Sequence, residues 1–118
     1  MPQITVDHSA DLTGAFDPAA LAHELHTAAI EIAAAKPEAC KTLFRPCPIT
    51  VVGHDTDGHA VVHVTVGLLA GRTEETRTRL ADTLLEQVRR HVKTDGGTAL
   101  HASVEIRDLD PTYRKFDA

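Results

Sequence analysis

Apolar and polar residues alternate from Pro2 to Val6, with Ile4 and Val6 on one side and Gln3 and Thr5 on the other. Alternation with a period of two predicts a short strand at the amino terminus. Asp7, His8, Ser9 and the Thr13-Gly14 pair mark a loop after it. Asp17-Pro18 predicts a sharp helix start, since Asp accepts from free backbone N–H groups and Pro is preorganised for the first helical position. Leu21, Leu25, Ala28 and Ile32 then recur at helical spacing. The alanine-rich run from Ala28 to Ala35 favours helix, and Lys36-Pro37 ends it.

Lys41 to Val52 reads as an extended segment interrupted by Pro46 and Pro48. Proline cannot donate to a ladder, so this segment is expected at an edge, at a bulge or as an irregular strand. The run Gly53-His54-Asp55-Thr56-Asp57-Gly58 is a turn. It is expected to join the extended segment, as a hairpin, to a valine-rich strand over Ala60 to Leu69. Thr73 is the expected cap of a second helix, with Glu74 and Glu75 favoured by the dipole in its first turn. Leu80, Ala81, Leu84, Val88 and Val92 form its buried stripe, while Arg77, Arg79, Glu86, Arg89 and Arg90 read as a solvated face. Gly96-Gly97 breaks the chain. Leu100 to Ile106 alternates again as a last strand, and a polar tail runs from Arg107 to Ala118.

The order is strand, helix, strand, repeated once, so each half is a βαβ unit. Two right-handed units can share one four-stranded mixed sheet with both helices on one face, which is an α+β architecture. The strands read as apolar on both sides. The bare face of the sheet is therefore expected to be buried against other subunits.

With 118 residues the chain is expected to be a single domain spanning 1–118. Three Phe, one Tyr and no Trp leave an aliphatic core. A net charge of −5 disfavours nucleic acid, which rewards basic patches. No basic run is present to hold an anionic membrane, and no apolar stretch nears the roughly 20 residues a spanning helix needs. The start, Met-Pro-Gln-Ile-Thr-Val-Asp, has neither a basic region nor an apolar signal core, so a cytoplasmic protein is expected. Cys40 and Cys47 are too few for a disulfide scaffold and read as reduced structural thiols.

Pro2 is the most informative position for chemistry. Methionine before proline is normally removed, and the exposed group is then a secondary amine. Burial and nearby cations lower the pKa of such an amine, and a base tuned near working pH is what proton abstraction requires. Arginine supplies the complement, because it grips carboxylates bidentately and stabilises charge on an enolate oxygen. Arg72 stands between a strand end and a helix start, a common place for anion binding. Arg45 stands in the proline-interrupted segment. Eight histidines invite a metal reading. However, His59 and His63 share a strand face about 13 Å apart, and His23 with His26 lacks a third ligand. No metal is expected. Nor is there a glycine-rich phosphate loop or a nucleophile elbow.

The Met-Pro start followed by a strand resembles the tautomerase superfamily. Val62-His63-Val64-Thr65-Val66, Ala70-Gly71-Arg72-Thr73, Glu75 and the Leu80 to Val92 helix are similar to the 5-carboxymethyl-2-hydroxymuconate isomerases. So is Ser103-Val104-Glu105-Ile106-Arg107-Asp108-Leu109-Asp110-Pro111-Thr112. The resemblance runs over nearly the whole chain. It implies a tautomerase-like fold, a homotrimer with its sheets around a central barrel, and no cofactor. It also implies a 1,3-proton shift between unsaturated acid isomers in aromatic catabolism, specifically of homoprotocatechuate, on a small dicarboxylate or unsaturated oxo-acid. Pro2 matches the family's catalytic proline and Arg72 the arginine of its Gly-Arg motif, as catalytic and substrate-binding groups. The family's closely spaced arginine pair is missing from Lys41-Thr42-Leu43-Phe44-Arg45-Pro46. There Arg45 is the nearest substrate-binding candidate and Lys41 the fallback. Phe44, Tyr113 and Phe116 are read as ordinary packing rather than pocket lining.

Two other readings stay open on the residues alone. One is a hydratase or dehalogenase of the same superfamily in which protonated Pro2 is an acid. The other is a non-catalytic trimer that keeps the fold.

Overall fold

The computed structural model describes residues 1–118. Six main elements follow in order: β1 (Gln3–Ser9), α1 (Pro18–Ala33), β2 (Lys41–Cys47), β3 (His59–Leu68), α2 (Glu74–His91) and β4 (Ala99–Asp108). Short 3-10 turns at Ala10–Leu12 and Pro37–Ala39 flank α1. The four strands form one mixed sheet in the order β2-β1-β3-β4. β1 with β2 and β3 with β4 are the parallel pairs of two βαβ units, and β1 meets β3 antiparallel at the seam between them.

The expected hairpin between Lys41–Val52 and Ala60–Leu69 is not formed. β1 lies between β2 and β3 and pairs with both. The parallel crossover through α1 puts β2 outside β1, so the chain must pass over the end of β1 to begin the second unit. β2 stops at Cys47, ahead of Pro48, and the connection turns through a Val52–Asp55 bridge. The edge position read from Pro46 and Pro48 is the one observed, since β2 has a neighbour on one side only.

The helix starts follow the caps. Asp17 Oδ1 accepts from the Ala20 N–H at 3.2 Å and Thr73 Oγ1 from the Thr76 N–H at 3.1 Å. The first helix ends earlier than Lys36-Pro37. Ala34 is left-handed at φ 57°, and the N–H groups of Ala34 and Ala35 both turn back to the Ala29 carbonyl.

The core lies between one face of the sheet and both helices. Ile4 and Val6 of β1 and Val62, Val64 and Val66 of β3 are buried there with Leu21, Leu25, Leu80, Leu84 and Val88. Ala81, expected in the stripe of α2, is only half-buried. The other sheet face departs from expectation. It is mostly polar where apolar residues were expected, presenting Thr5, Asp7, His63, Thr65, Ser103 and Glu105, with Leu43 and Val61 as apolar exceptions. Valine alternates with His and Thr along β3, so its apolar residues fall almost wholly on the core side.

Past β4 the chain returns across this outer face. The Leu109 N–H donates to the Leu68 carbonyl at 2.6 Å. A Cβ on Gly67 would lie 2.7 Å from Leu109 Cδ2, so a larger residue there would require the Leu109 side chain to shift. Further on, Gln3 Nε2 donates to the Tyr113 hydroxyl at 3.1 Å, which brings the tail beside the start of β1.

Candidate active site

The amino terminus enters the sheet beside the start of β2. Gln3 pairs with Lys41, and the Lys41 N–H donates to the Pro2 carbonyl at 3.3 Å. Pro2 is buried. Met1 lies beyond it, with its amine 3.4 Å from the Ala39 carbonyl. A cavity of about 460 Å³ opens at this point, lined by Met1, Ala35, Lys41, Leu69, Arg72 and Lys115, with Glu38 and Asp117 also on its wall.

Arg72 reaches the cavity from the loop between β3 and α2. Gly71 ahead of it sits at φ +124°, a backbone conformation that favours glycine. The guanidinium donates from Nε and Nη2 to the Ala33 carbonyl, at 3.1 and 2.9 Å, and from Nη1 to the Leu69 carbonyl at 3.1 Å. It therefore closes the carboxyl end of α1, where backbone carbonyls lack helical partners. Three of its five N–H groups are engaged in this way, leaving two for a ligand. Neither a surface salt bridge nor a freely swinging anion clamp describes it.

The field at the terminus is positive. Burial lowers the pKa of the terminal amine below its ordinary value, and Lys41, Lys115 and Arg72 lower it further, against an opposing effect of Cys40. An ammonium is disfavoured where desolvation and neighbouring cations coincide. Lys115 is held by an ion pair with Asp117, whose carboxyl that bond keeps below the usual range.

Of the residues singled out in the sequence, Arg72 lines the cavity, Pro2 is buried one residue behind Met1 on its wall, and Arg45 lies elsewhere. Arg45 pairs in register with Asp7, four residues along β2 from Lys41, and that is about 13 Å of strand. There it grips Asp7 bidentately, Nε to Oδ1 at 2.7 Å and Nη2 to Oδ2 at 2.9 Å, which holds the Asp7 carboxyl below its ordinary pKa. Lys41 is the cation that β2 delivers to the pocket. Phe44 packs on Phe16 with ring centroids 5.9 Å apart. Phe116 is exposed. Cys40 and Cys47 are free thiols, and burial pushes the Cys40 thiol up.

Lys115 and Asp117 are the site residues that sequence reasoning missed. Nothing in the polar tail marks its return to the start of β1. The local signals were two aromatic residues, Tyr113 and Phe116, in a largely polar stretch.

The family model described as 5-carboxymethyl-2-hydroxymuconate isomerase matches residues 2–117. No curated protein sequence matches significantly. Among solved structures the chain is similar to a 5-carboxymethyl-2-hydroxymuconate delta-isomerase, at 16% identity and a TM-score of 0.83, over 100% of this chain and 89% of that one. It is also similar to a 5-carboxymethyl-2-hydroxymuconate isomerase from Deinococcus radiodurans R1, at 20% identity and a TM-score of 0.81, over 98% and 90%. A fused 4-OT symmetric trimer matches at 22% identity and a TM-score of 0.69, over 98% and 89%.

Proposed function

This chain belongs to the 5-carboxymethyl-2-hydroxymuconate isomerase family, an isomerase of the tautomerase superfamily, and we propose that it moves its proton with the nitrogen of Pro2. Met1 lines the cavity, and the Pro2 nitrogen is bonded to the Met1 carbonyl carbon. Removal of Met1 frees that nitrogen as a secondary amine and opens the space that Met1 fills on the cavity wall. One observation carries the reading: the Met1 amine, one residue from the Pro2 nitrogen, is pushed toward its neutral form by burial and by Lys41, Lys115 and Arg72. A neutral amine is a base, and this favours the isomerase over a hydratase or dehalogenase that needs a protonated proline.

In the proposed step the proline nitrogen takes a proton from a carbon of the substrate. The electron pair of the broken C–H bond spreads toward the carbonyl oxygen as an enolate. The same proton then returns at another carbon, so the double bond moves and composition is unchanged. The two spare N–H groups of Arg72, with Lys41 and Lys115, bind carboxylates and steady the enolate charge. A small dicarboxylate or unsaturated oxo-acid of aromatic catabolism suits a cavity of about 460 Å³ with cations on several sides. The chain's residues alone perform these steps. A cytoplasmic homotrimer is the proposed working form, and within one chain Arg45 has no part in the pocket.

The test is Pro2→Ala with loss of Met1 checked by intact mass. Turnover of a 2-hydroxymuconate-type substrate or phenylenolpyruvate should vanish. Unchanged turnover overturns the proposal, as does full activity in a sample whose mass retains Met1.

A further inference from the structure

The polar face of the sheet holds a second constellation, distant in sequence from Pro2 and unused by the proton shift. His59 of β3 and His101 of β4 lie diagonally across the parallel ladder, where His59 pairs with Ala99 and Val61 with His101. Their side chains share the outer face, with ring centroids 5.1 Å apart and planes inclined by 32°. His59 Nδ1 is 2.9 Å from His101 Nε2. The other nitrogen of the same ring, His59 Nε2, is 3.1 Å from Asp55 Oδ2 in the turn before β3.

These contacts constrain the protons. A carboxylate only accepts, so His59 Nε2 carries a hydrogen and donates it to Asp55. At 2.9 Å the facing nitrogens share one proton between two lone pairs, one ring donating and the other accepting. A divalent cation is the other species that two neighbouring imidazole lone pairs can bind. At a metal–nitrogen length of about 2.0–2.1 Å, two tetrahedral nitrogen ligands stand about 3.3 Å apart. The nitrogens now face each other almost head-on, so the rings must part by a few tenths of an ångström and each must also swing for the two lone pairs to meet at one ion. Asp55 already does what an outer carboxylate does for a ligating histidine, fixing the ring and its tautomer while raising ligand basicity.

We propose that His59 and His101 form a binding site for one late first-row divalent cation, Cu²⁺, Ni²⁺ or Zn²⁺, with Asp55 as the positioning carboxylate. No group of three or more His, Cys, Asp or Glu side chains converges anywhere in the chain, so water fills the remaining coordination positions. Two imidazoles and water suit these borderline cations and give little to Mg²⁺ or Ca²⁺, which prefer all-oxygen shells. Affinity follows the Irving–Williams order, with Cu²⁺ tightest. His63 lies on the same face, but its Nδ1 is bonded to Ser103 Oγ at 2.6 Å and it stands about 13 Å along the strand from His59. It is therefore the built-in control. The site is independent of the isomerase chemistry, and failure of either proposal leaves the other standing.

The experiment uses the full chain without an affinity tag. Zn²⁺ and Ni²⁺ are titrated by calorimetry, and Ni²⁺ again by paramagnetic broadening of the histidine ring resonances. One equivalent per chain is expected, broadening His59 and His101 first. His59→Ala and His101→Ala should each abolish that event while circular dichroism stays unchanged. Asp55→Asn should weaken it by about tenfold, and His63→Ala should leave it intact. Absence of binding overturns the proposal, and so does a binding event retained in His101→Ala.

Discussion

Arg72 donates twice to a single carbonyl, that of Ala33, from Nε at 3.1 Å and Nη2 at 2.9 Å. A residue expected to serve catalysis and to hold substrate thus also terminates α1 and ties it to the loop of the second βαβ unit. Arg72→Ala is expected to cost about 1–3 kcal/mol in urea unfolding, because the Ala33 carbonyl loses its partner in a part-buried place. It should also lower kcat/KM by more than about tenfold, from loss of charge-assisted hydrogen bonds. Arg72→Lys keeps the charge without the fork. It should recover part of the activity and little of the stability. Equal recovery of both would separate Arg72 from the end of the helix.

The positive field at the terminus predicts the pH profile of the enzyme once Met1 is gone. A base works when unprotonated, so kcat/KM rises with pH through the amine's pKa. Burial, Lys41, Lys115 and Arg72 lower the pKa of the Met1 amine one residue away; the same surroundings acting on the freed Pro2 amine should place the rise at lower pH than for an ordinary terminal amine. Removing a cation raises the pKa again. Lys41→Ala and Lys115→Ala should therefore move the acidic limb of the profile upward in pH. A limb that stays in place in both variants would show that the cations do not act on the base.

Arg45 and Lys41 stand at opposite ends of β2 and make opposite predictions for substrate binding. Lys41→Ala should raise KM several-fold for a dicarboxylate substrate. Arg45→Ala should leave KM unchanged, since its guanidinium is spent on Asp7 at the far end of the strand. The Arg45–Asp7 bond has its own signature in acid. Asp7 has a lowered pKa in the folded chain. Its contribution to stability is present above the unfolded carboxylate pKa and is lost as pH falls through the folded one. A raised KM in Arg45→Ala would instead mean that this side chain serves the pocket of a neighbouring protomer.

Leu84 is fully buried on the core side of α2. Leu84→Ala is expected to destabilise by about 2–5 kcal/mol in chemical unfolding. The folded fraction should keep its KM, because Leu84 is not on the cavity wall.

The helices were legible because their signals are local. Asp17 and Thr73 announce the starts of α1 and α2 within three residues of the N–H groups they satisfy. The strands were legible one at a time and their neighbours were not. Lys41–Cys47 and His59–Leu68 are consecutive strands, yet β1 lies between them. Alternation reveals that a strand exists and is silent about its partner. The same limit hid the contact between His59 and His101, which are 42 residues apart in sequence. Pro2 was legible as a chemical group, and Arg72 as a cation at a strand end. Choosing between Arg45 and Lys41 required the register of β1 on β2, which pairs Gln3 with Lys41 and Asp7 with Arg45. Lys115 required the path of a tail whose composition carries no periodic signal.

Gly67 has neither charge nor side chain, yet it governs that tail. A single methyl group there would meet the Leu109 side chain and push it from its place over the outer face of β3 just after the sheet ends. The segment beyond carries Tyr113 to Gln3 and Lys115 to the cavity, so displacement at its root is handed on to the positive field around Pro2. A lever runs from the middle of the fold to its first residues, and its fulcrum is a hydrogen atom where every other amino acid has carbon.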